Sequence, residues 1–98
     1  MVYNKNEVFE KLEENSDSIE KFGVKRIGVF GSVARNQADK DSDIDFLVEF
    51  KETEKSFRNF TDLKDFLEEL FETEVDLATE RSLKNSIKER VEKEVTYA

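Results

Sequence analysis

Two short motifs in the middle of the chain combine residue types that handle phosphate and a divalent cation. Gly31 and Ser32 follow the apolar stretch 27–30, and Asp43 and Asp45 stand at alternate positions before a second apolar stretch. A glycine at the end of a strand lets the backbone turn sharply toward a ligand, and a serine offers a hydroxyl and an amide N–H. Alternate residues of a strand point to one face, so we expect the two carboxylates to lie side by side.

Paired carboxylates of this kind are typical ligands of Mg²⁺ or Mn²⁺, which take their other ligands from water and substrate phosphates. Either motif alone is common: a Gly-Ser pair after a strand is usually an ordinary turn, and acidic residues before a strand often face solvent. The combination is more specific, because ten residues separate Ser32 from Asp43. It indicates metal-assisted chemistry on a triphosphate.

The composition restricts the chemistry that the chain can use. Its 98 residues include no Cys and no His, so neither a thiol nucleophile nor an imidazole base is available. Sixteen basic against 24 acidic residues give a net charge of −8, which disfavours binding to nucleic acid. Without a membrane-length apolar run or a signal peptide, the sequence predicts no membrane association and a cytoplasmic location. Its length predicts a single domain over residues 1–98.

The apolar periodicity predicts alternating helices and strands. The expected elements are a first helix ending at Gly23, a strand over 25–30, a short helix over 33–38, a strand over 44–50, an amphipathic helix from Phe57, a strand over 73–78 and a last helix marked by Leu83, Ile87, Val91 and Val95. This order predicts an α/β fold in which about four helices flank a small sheet of about three strands.

Segments 30–35 and 42–48 resemble, almost residue for residue, the minimal branch of the polymerase-beta-type nucleotidyltransferase superfamily. The resemblance covers about residues 25–77 and implies an α+β fold with a mixed sheet. It also implies a third carboxylate on a later strand, which Asp76 supplies in a similar apolar setting. Many relatives carry glycine where this chain has Asn36. Asparagine tolerates the left-handed conformation, so we expect the turn to be kept.

The resemblance implies metal-dependent nucleotidyl transfer from ATP, and it assigns roles to the three carboxylates. Asp43 and Asp45 would hold Mg²⁺ or Mn²⁺ against the triphosphate oxygens. Asp76 would complete the metal site or accept the proton of the acceptor hydroxyl.

The residues of the Gly-Ser turn would bind the phosphates of the nucleotide. Gly31 would contribute an amide N–H, and Ser32 would contribute an amide N–H and its hydroxyl. Arg35 lies about one helical turn after Ser32 and would either bind the same phosphates or form a structural ion pair. Both roles for Arg35 stay open.

The minimal branch includes the antitoxins of paired toxin–antitoxin systems, so the resemblance implies a partner protein. In this interpretation the chain moves AMP from ATP to a tyrosine hydroxyl of a HEPN-type toxin ribonuclease, within a hetero-oligomer. Two alternatives remain: a scaffold that neutralises a partner by contact alone, and transfer to a small molecule such as an aminoglycoside. Mutually repelling, desolvated carboxylates argue against a pure binder.

Overall fold

The computed structural model describes residues 2–98, and within this range five helices accompany one four-stranded sheet. In chain order the elements are α1 (Lys5–Glu14), α2 (Ser16–Glu20), β1 (Val24–Phe30), α3 (Gly31–Ala34), β2 (Ile44–Phe50), α4 (Phe57–Phe71), β3 (Val75–Ala78), α5 (Asn85–Glu94) and β4 (Thr96–Tyr97). Two single 3₁₀ turns cover Glu52–Glu54 and Glu80–Ser82. No helix in this range is both long and apolar enough to cross a membrane.

The sheet is mixed, with the strand order β3-β2-β1-β4. Strand β1 is antiparallel to both β2 and β4, whereas β2 and β3 are parallel. This architecture confirms the predicted fold class, but the described chain has one strand more than the three expected. The extra strand, β4, has only two residues and pairs with Gly28 and Val29. Two residues are too few to show a periodic pattern in a sequence.

Alternation along the strands separates an apolar face from a functional face. Ile27 and Val29 of β1 and Phe46 and Val48 of β2 join a buried core with apolar side chains of α1, α2 and α4. Neighbouring residues of a strand point to opposite sides of the sheet. Because the even-numbered residues of β2 face the core, Asp45 and the other odd-numbered residues of β2 lie on the opposite face of the sheet.

The first predicted helix is divided in the structure, so the expectation of one continuous helix up to Gly23 is wrong. Helix α1 begins at a capping box formed by Asn4 and Glu7, and α2 starts again after Asn15. The side chain of Asn15 donates a hydrogen bond to the Lys11 carbonyl at 2.9 Å. Such a local bond competes with the helical backbone pattern and accounts for the break.

The short helix after β1 covers Gly31–Ala34 and not the predicted range 33–38. It ends early because Asn36 adopts a left-handed conformation, with a φ of 56°. This confirms the left-handed conformation that was predicted for Asn36. The last helix is also shorter than its apolar pattern indicated, because Leu83 and Val95 both have extended backbone.

Candidate active site

Asp45 lies at the centre of the candidate site because of its register in the sheet. It stands opposite Phe30, the last residue of β1, and opposite Asp76 of β3. Asp43 precedes the first residue of β2 by one position. The fold thus brings the three predicted carboxylates to one end of the sheet, although Asp76 is far from the others in the sequence.

The electrostatic environment of Asp45 shows that this end of the sheet is short of positive charge. Burial raises the pKa of Asp45, the nearby carboxylates of Asp76 and Asp43 raise it further, and its value reaches about 6. Arg35 acts in the opposite direction but does not compensate. A bound cation would offset this repulsion, so the donor set fits a divalent metal ion.

The side chains of the site are not yet gathered into a metal-binding arrangement. Within residues 2–98, no group of three or more Asp, Glu, His or Cys side chains is placed as such a set. Asp43 and Asp76 are exposed, and exposed side chains change rotamer rapidly. Binding of a cation by all three carboxylates would therefore require Asp43 and Asp76 to turn toward Asp45.

Position 31 requires a glycine because of its backbone conformation and its close contact with Asp45. Its φ is 74°, which side chains rarely tolerate, and a Cβ atom there would lie 1.9 Å from Oδ2 of Asp45. The backbone of the Gly-Ser turn therefore packs directly against the central carboxylate. Ser32 follows within α3 and is partly exposed. Both residues border the position where we expect the triphosphate.

Arg35 forms a structural ion pair, which is one of the two roles that the sequence analysis left open for it. Its Nη1 contacts Oε1 of Glu94 at the end of α5, and its Nε donates to Oε1 of Gln37 at 3.1 Å. A guanidinium has five N–H groups, so these contacts leave donors that can bind phosphate. The ion pair and phosphate binding are thus compatible.

Glu94 is a fourth acidic residue near the site, and the motif-based reasoning missed it. Its side chain is only 12% exposed, and Oε2 is buried without a hydrogen-bond partner within residues 2–98. Glu94 also raises the pKa of Asp45. The spacing of Glu94 in the sequence could have indicated its position. Glu94 follows the buried Val91 by three residues and so shares the inward face of α5.

Curated relatives of the chain carry the name protein adenylyltransferase. Protein adenylyltransferase MntA of Thermococcus cleftensis is 61% identical over 33 residues, which are 34% of this chain and 33% of the relative. A Methanocaldococcus jannaschii protein assigned as a protein adenylyltransferase is 52% identical over 46 residues, which are 47% of this chain and 46% of that protein. The matches span a third to about half of these relatives' lengths.

Solved structures match the fold over nearly the whole chain. One assigned as a minimal nucleotidyltransferase has a TM-score of 0.81 at 34% identity and covers 96% of this chain and 95% of its own. A chain in the crystal structure of a toxin–antitoxin with AMP-PNP has a TM-score of 0.66 at 23% identity, covers 97% of this chain and 72% of its own, and thus shares the fold. The nucleotidyltransferase domain profile matches residues 6–98. The chain therefore belongs to the nucleotidyltransferase domain family.

Proposed function

We propose that this chain is a cytoplasmic antitoxin that transfers AMP from ATP to a tyrosine hydroxyl of a HEPN-type toxin ribonuclease. The observation that carries the proposal is the position of Asp45, which is half-buried between the Gly31 turn and Asp76 and has a raised pKa. The names of the relatives support protein adenylylation. The shared fold with a toxin–antitoxin chain supports a toxin as partner in a hetero-oligomer.

The donor set suits Mg²⁺ or Mn²⁺, with Asp43, Asp45 and Asp76 as the residues that would hold it. When bound, the metal would supply positive charge to the triphosphate oxygens as negative charge develops. The fold supplies the placement, because adjacent strands and the Gly31 backbone hold the Asp45 carboxylate in position.

The chemical step is an in-line displacement at the α-phosphorus of ATP. The acceptor oxygen forms a bond to this phosphorus, and the bond to the oxygen that bridges to the β-phosphate breaks. Pyrophosphate leaves with the electron pair, and the hydroxyl proton passes to a base. Asp76 would either complete the metal site or act as this base, since its carboxylate is exposed on the strand beside Asp45. Gly31, Ser32 and the free N–H groups of Arg35 would hold the phosphates.

Labelled ATP tests the proposal directly. The chain is incubated with Mg²⁺, ATP labelled at the α-phosphate and a co-expressed HEPN-type toxin, and label on the toxin is measured. Asp45→Asn should abolish labelling, whereas Asp65→Asn, which removes an exposed carboxylate from α4, should leave it unchanged. Labelling that persists in Asp45→Asn would refute the assignment of the site. If an Asp45→Asn variant that transfers no label still neutralises the toxin, the chain acts as a binding module.

A further inference from the structure

The guanidinium of Arg35 is held at two of its three nitrogen atoms. Nη1 contacts Oε1 of Glu94, and Nε donates a hydrogen bond to Oε1 of Gln37 at 3.1 Å. The side chain of Arg35 makes no other hydrogen bond within residues 2–98. Because a guanidinium carries five N–H groups, both N–H groups of Nη2 and one of Nη1 remain available to a ligand.

Glu94 contacts Arg35 through only one of its two carboxylate oxygens. Its other oxygen, Oε2, is buried and has no hydrogen-bond partner in the described part of the chain. Arginine and a carboxylate frequently form two parallel hydrogen bonds, which would occupy a second nitrogen of the guanidinium. The single contact seen here fixes the orientation of Arg35 and leaves Nη2 free.

The backbone on both sides of Glu94 is fixed by packing and by strand pairing. Val91, one helical turn earlier, is buried, and β4 begins two residues after Glu94 and pairs with Gly28 of β1. A Cβ atom on Gly28 would lie 2.7 Å from Cγ2 of Val95, so β1 directly contacts the residue that follows Glu94. Glu94 is therefore a rigid support for the exposed end of Arg35.

Arg35 belongs to the same helical turn as the two residues expected to bind phosphate. Gly31 and Ser32 begin α3, and the backbone N–H of Arg35 donates to the Gly31 carbonyl at 3.1 Å. Arg35 lowers the pKa of Asp45 and Glu94 raises it, so both charges act on the central carboxylate. The ion pair thus lies beside the position where we expect the triphosphate.

We propose that Glu94 is a positioning residue that holds the Arg35 guanidinium in the orientation that binds the phosphates of the nucleotide. A long side chain loses rotamer freedom when it binds a ligand, and a side chain that is already held loses less. The inference rests on the proposed function, because it takes a nucleoside triphosphate to be the ligand of Arg35. It adds a residue of the last helix, outside the Gly-Ser and Asp motifs, that sets the affinity for this ligand.

The charge of Glu94 and its position predict opposite effects of two substitutions. Glu94→Asp keeps the negative charge but shortens the side chain by one methylene, so the carboxylate no longer reaches Arg35 in the same way. Glu94→Gln removes the charge but keeps the length and an oxygen that can accept from Arg35. If Glu94 acted only as a negative charge that repels the triphosphate, Glu94→Gln would bind ATP more tightly and Glu94→Asp would be unchanged.

Isothermal titration calorimetry with ATP and Mg²⁺, in the absence of an acceptor protein, distinguishes the two roles. As a positioning residue, Glu94 predicts that Glu94→Asp weakens ATP binding about three- to tenfold and that Glu94→Gln stays within about twofold of the unmodified chain. The matched control is Glu92→Asp, which makes the same change at an exposed position of α5 and should have no effect. Circular dichroism verifies that all variants are folded at the temperature of the titration.

A double-mutant cycle tests whether Glu94 acts through Arg35. Arg35→Ala should weaken ATP binding about tenfold or more, because it removes charge-assisted hydrogen bonds to phosphate. In the Arg35→Ala background, Glu94→Asp should cause no further loss, since the group that it positions is gone. Additive losses would show that Glu94 acts independently of Arg35 and would overturn the inference.

Inorganic tripolyphosphate and the labelling assay separate the remaining outcomes. Glu94→Asp should weaken binding of tripolyphosphate by the same factor as binding of ATP, because the two ligands share only the phosphates. A loss for ATP alone would mean that Glu94 acts on the nucleoside, and the inference would be wrong. Unchanged ATP binding by Glu94→Asp would overturn it as well. If Glu94→Asp weakens ATP binding as expected but the unmodified chain never labels a toxin, only the proposed function is refuted.

Discussion

Replacement of Asp45 by asparagine should stabilise the fold while it abolishes nucleotidyl transfer. The pKa of Asp45 rises from 3.8 to about 6, first because the side chain is partly buried and then because Asp76 and Asp43 repel its charge. Ionised Asp45 therefore destabilises the native state at neutral pH. Asparagine keeps the shape of the side chain and removes the charge, so the catalytic loss and the gain in stability have one cause.

The size of the stabilisation follows from the same pKa. A carboxyl pKa raised from 3.8 to about 6 corresponds to about 3 kcal/mol of unfavourable ionisation. Partial exposure of Asp45 lets solvent and salt screen part of this energy, so we expect Asp45→Asn to gain about 1–2 kcal/mol at pH 7. For a domain of this size, that gain should raise the melting temperature by about 5–10 °C.

The pH dependence has a definite sign. Because the native state binds the Asp45 proton more tightly than the unfolded state does, the stability of the unmodified chain falls as pH rises from about 3.8 to about 6. The asparagine variant lacks this contribution, so its advantage should be small at pH 4 and largest above pH 6. Acidic residues that do not interact with Asp45 titrate in the same way in both proteins, and their effects cancel in the difference.

Urea unfolding followed by circular dichroism measures this difference at pH 4 and pH 7. Asp65→Asn is the control for loss of one negative charge from a chain of net charge −8. Addition of Mg²⁺ should stabilise the unmodified chain and have little effect on Asp45→Asn, since a ligand stabilises the state that binds it. A variant that is less stable than the unmodified chain at pH 7, or whose gain is equal at both pH values, would refute the electrostatic argument.

Three further substitutions test contacts around the site and the end of α4. Gly31→Ala should abolish labelling and cost about 2 kcal/mol or more, since its Cβ would overlap with Asp45 at a φ of 74°; unfolding in urea at the same midpoint as the unmodified chain would contradict the close approach. Arg35→Ala should cost about 1–2 kcal/mol in thermal unfolding and more than Glu94→Gln, because it leaves a mostly buried carboxylate unpaired; the reverse order would show that the pair is not stabilising. Glu72→Gly should increase the free energy of unfolding in urea by about 1 kcal/mol and leave labelling unchanged, because residue 72 ends α4 with a φ of 53°, which glycine adopts more easily.

Features that depend on neighbouring residues could be predicted from the sequence. Strand β2 was predicted over 44–50 and has these bounds, because alternation of polar and apolar side chains is a local signal. The start of α4 at Phe57 followed from periodicity in the same way, whereas the left-handed Asn36 was expected from the family resemblance and the backbone preference of asparagine. The break at Asn15 was missed because a single side-chain hydrogen bond overrides the apolar pattern.

The candidate site shows where local information ends. The residue types, the ten-residue spacing and the lack of His and Cys were enough to predict carboxylate and metal chemistry on a triphosphate. That Asp45 faces Asp76, that Gly31 lies against Asp45 and that Glu94 reaches Arg35 depends on pairing between distant segments. Strand register and helix placement minimise the energy of the whole core, so no local window contains them. The sequence by itself thus limited any catalysis to carboxylates, hydroxyls, Lys, Arg and a bound metal, and only the tertiary structure decided which carboxylate carries the cost of burial.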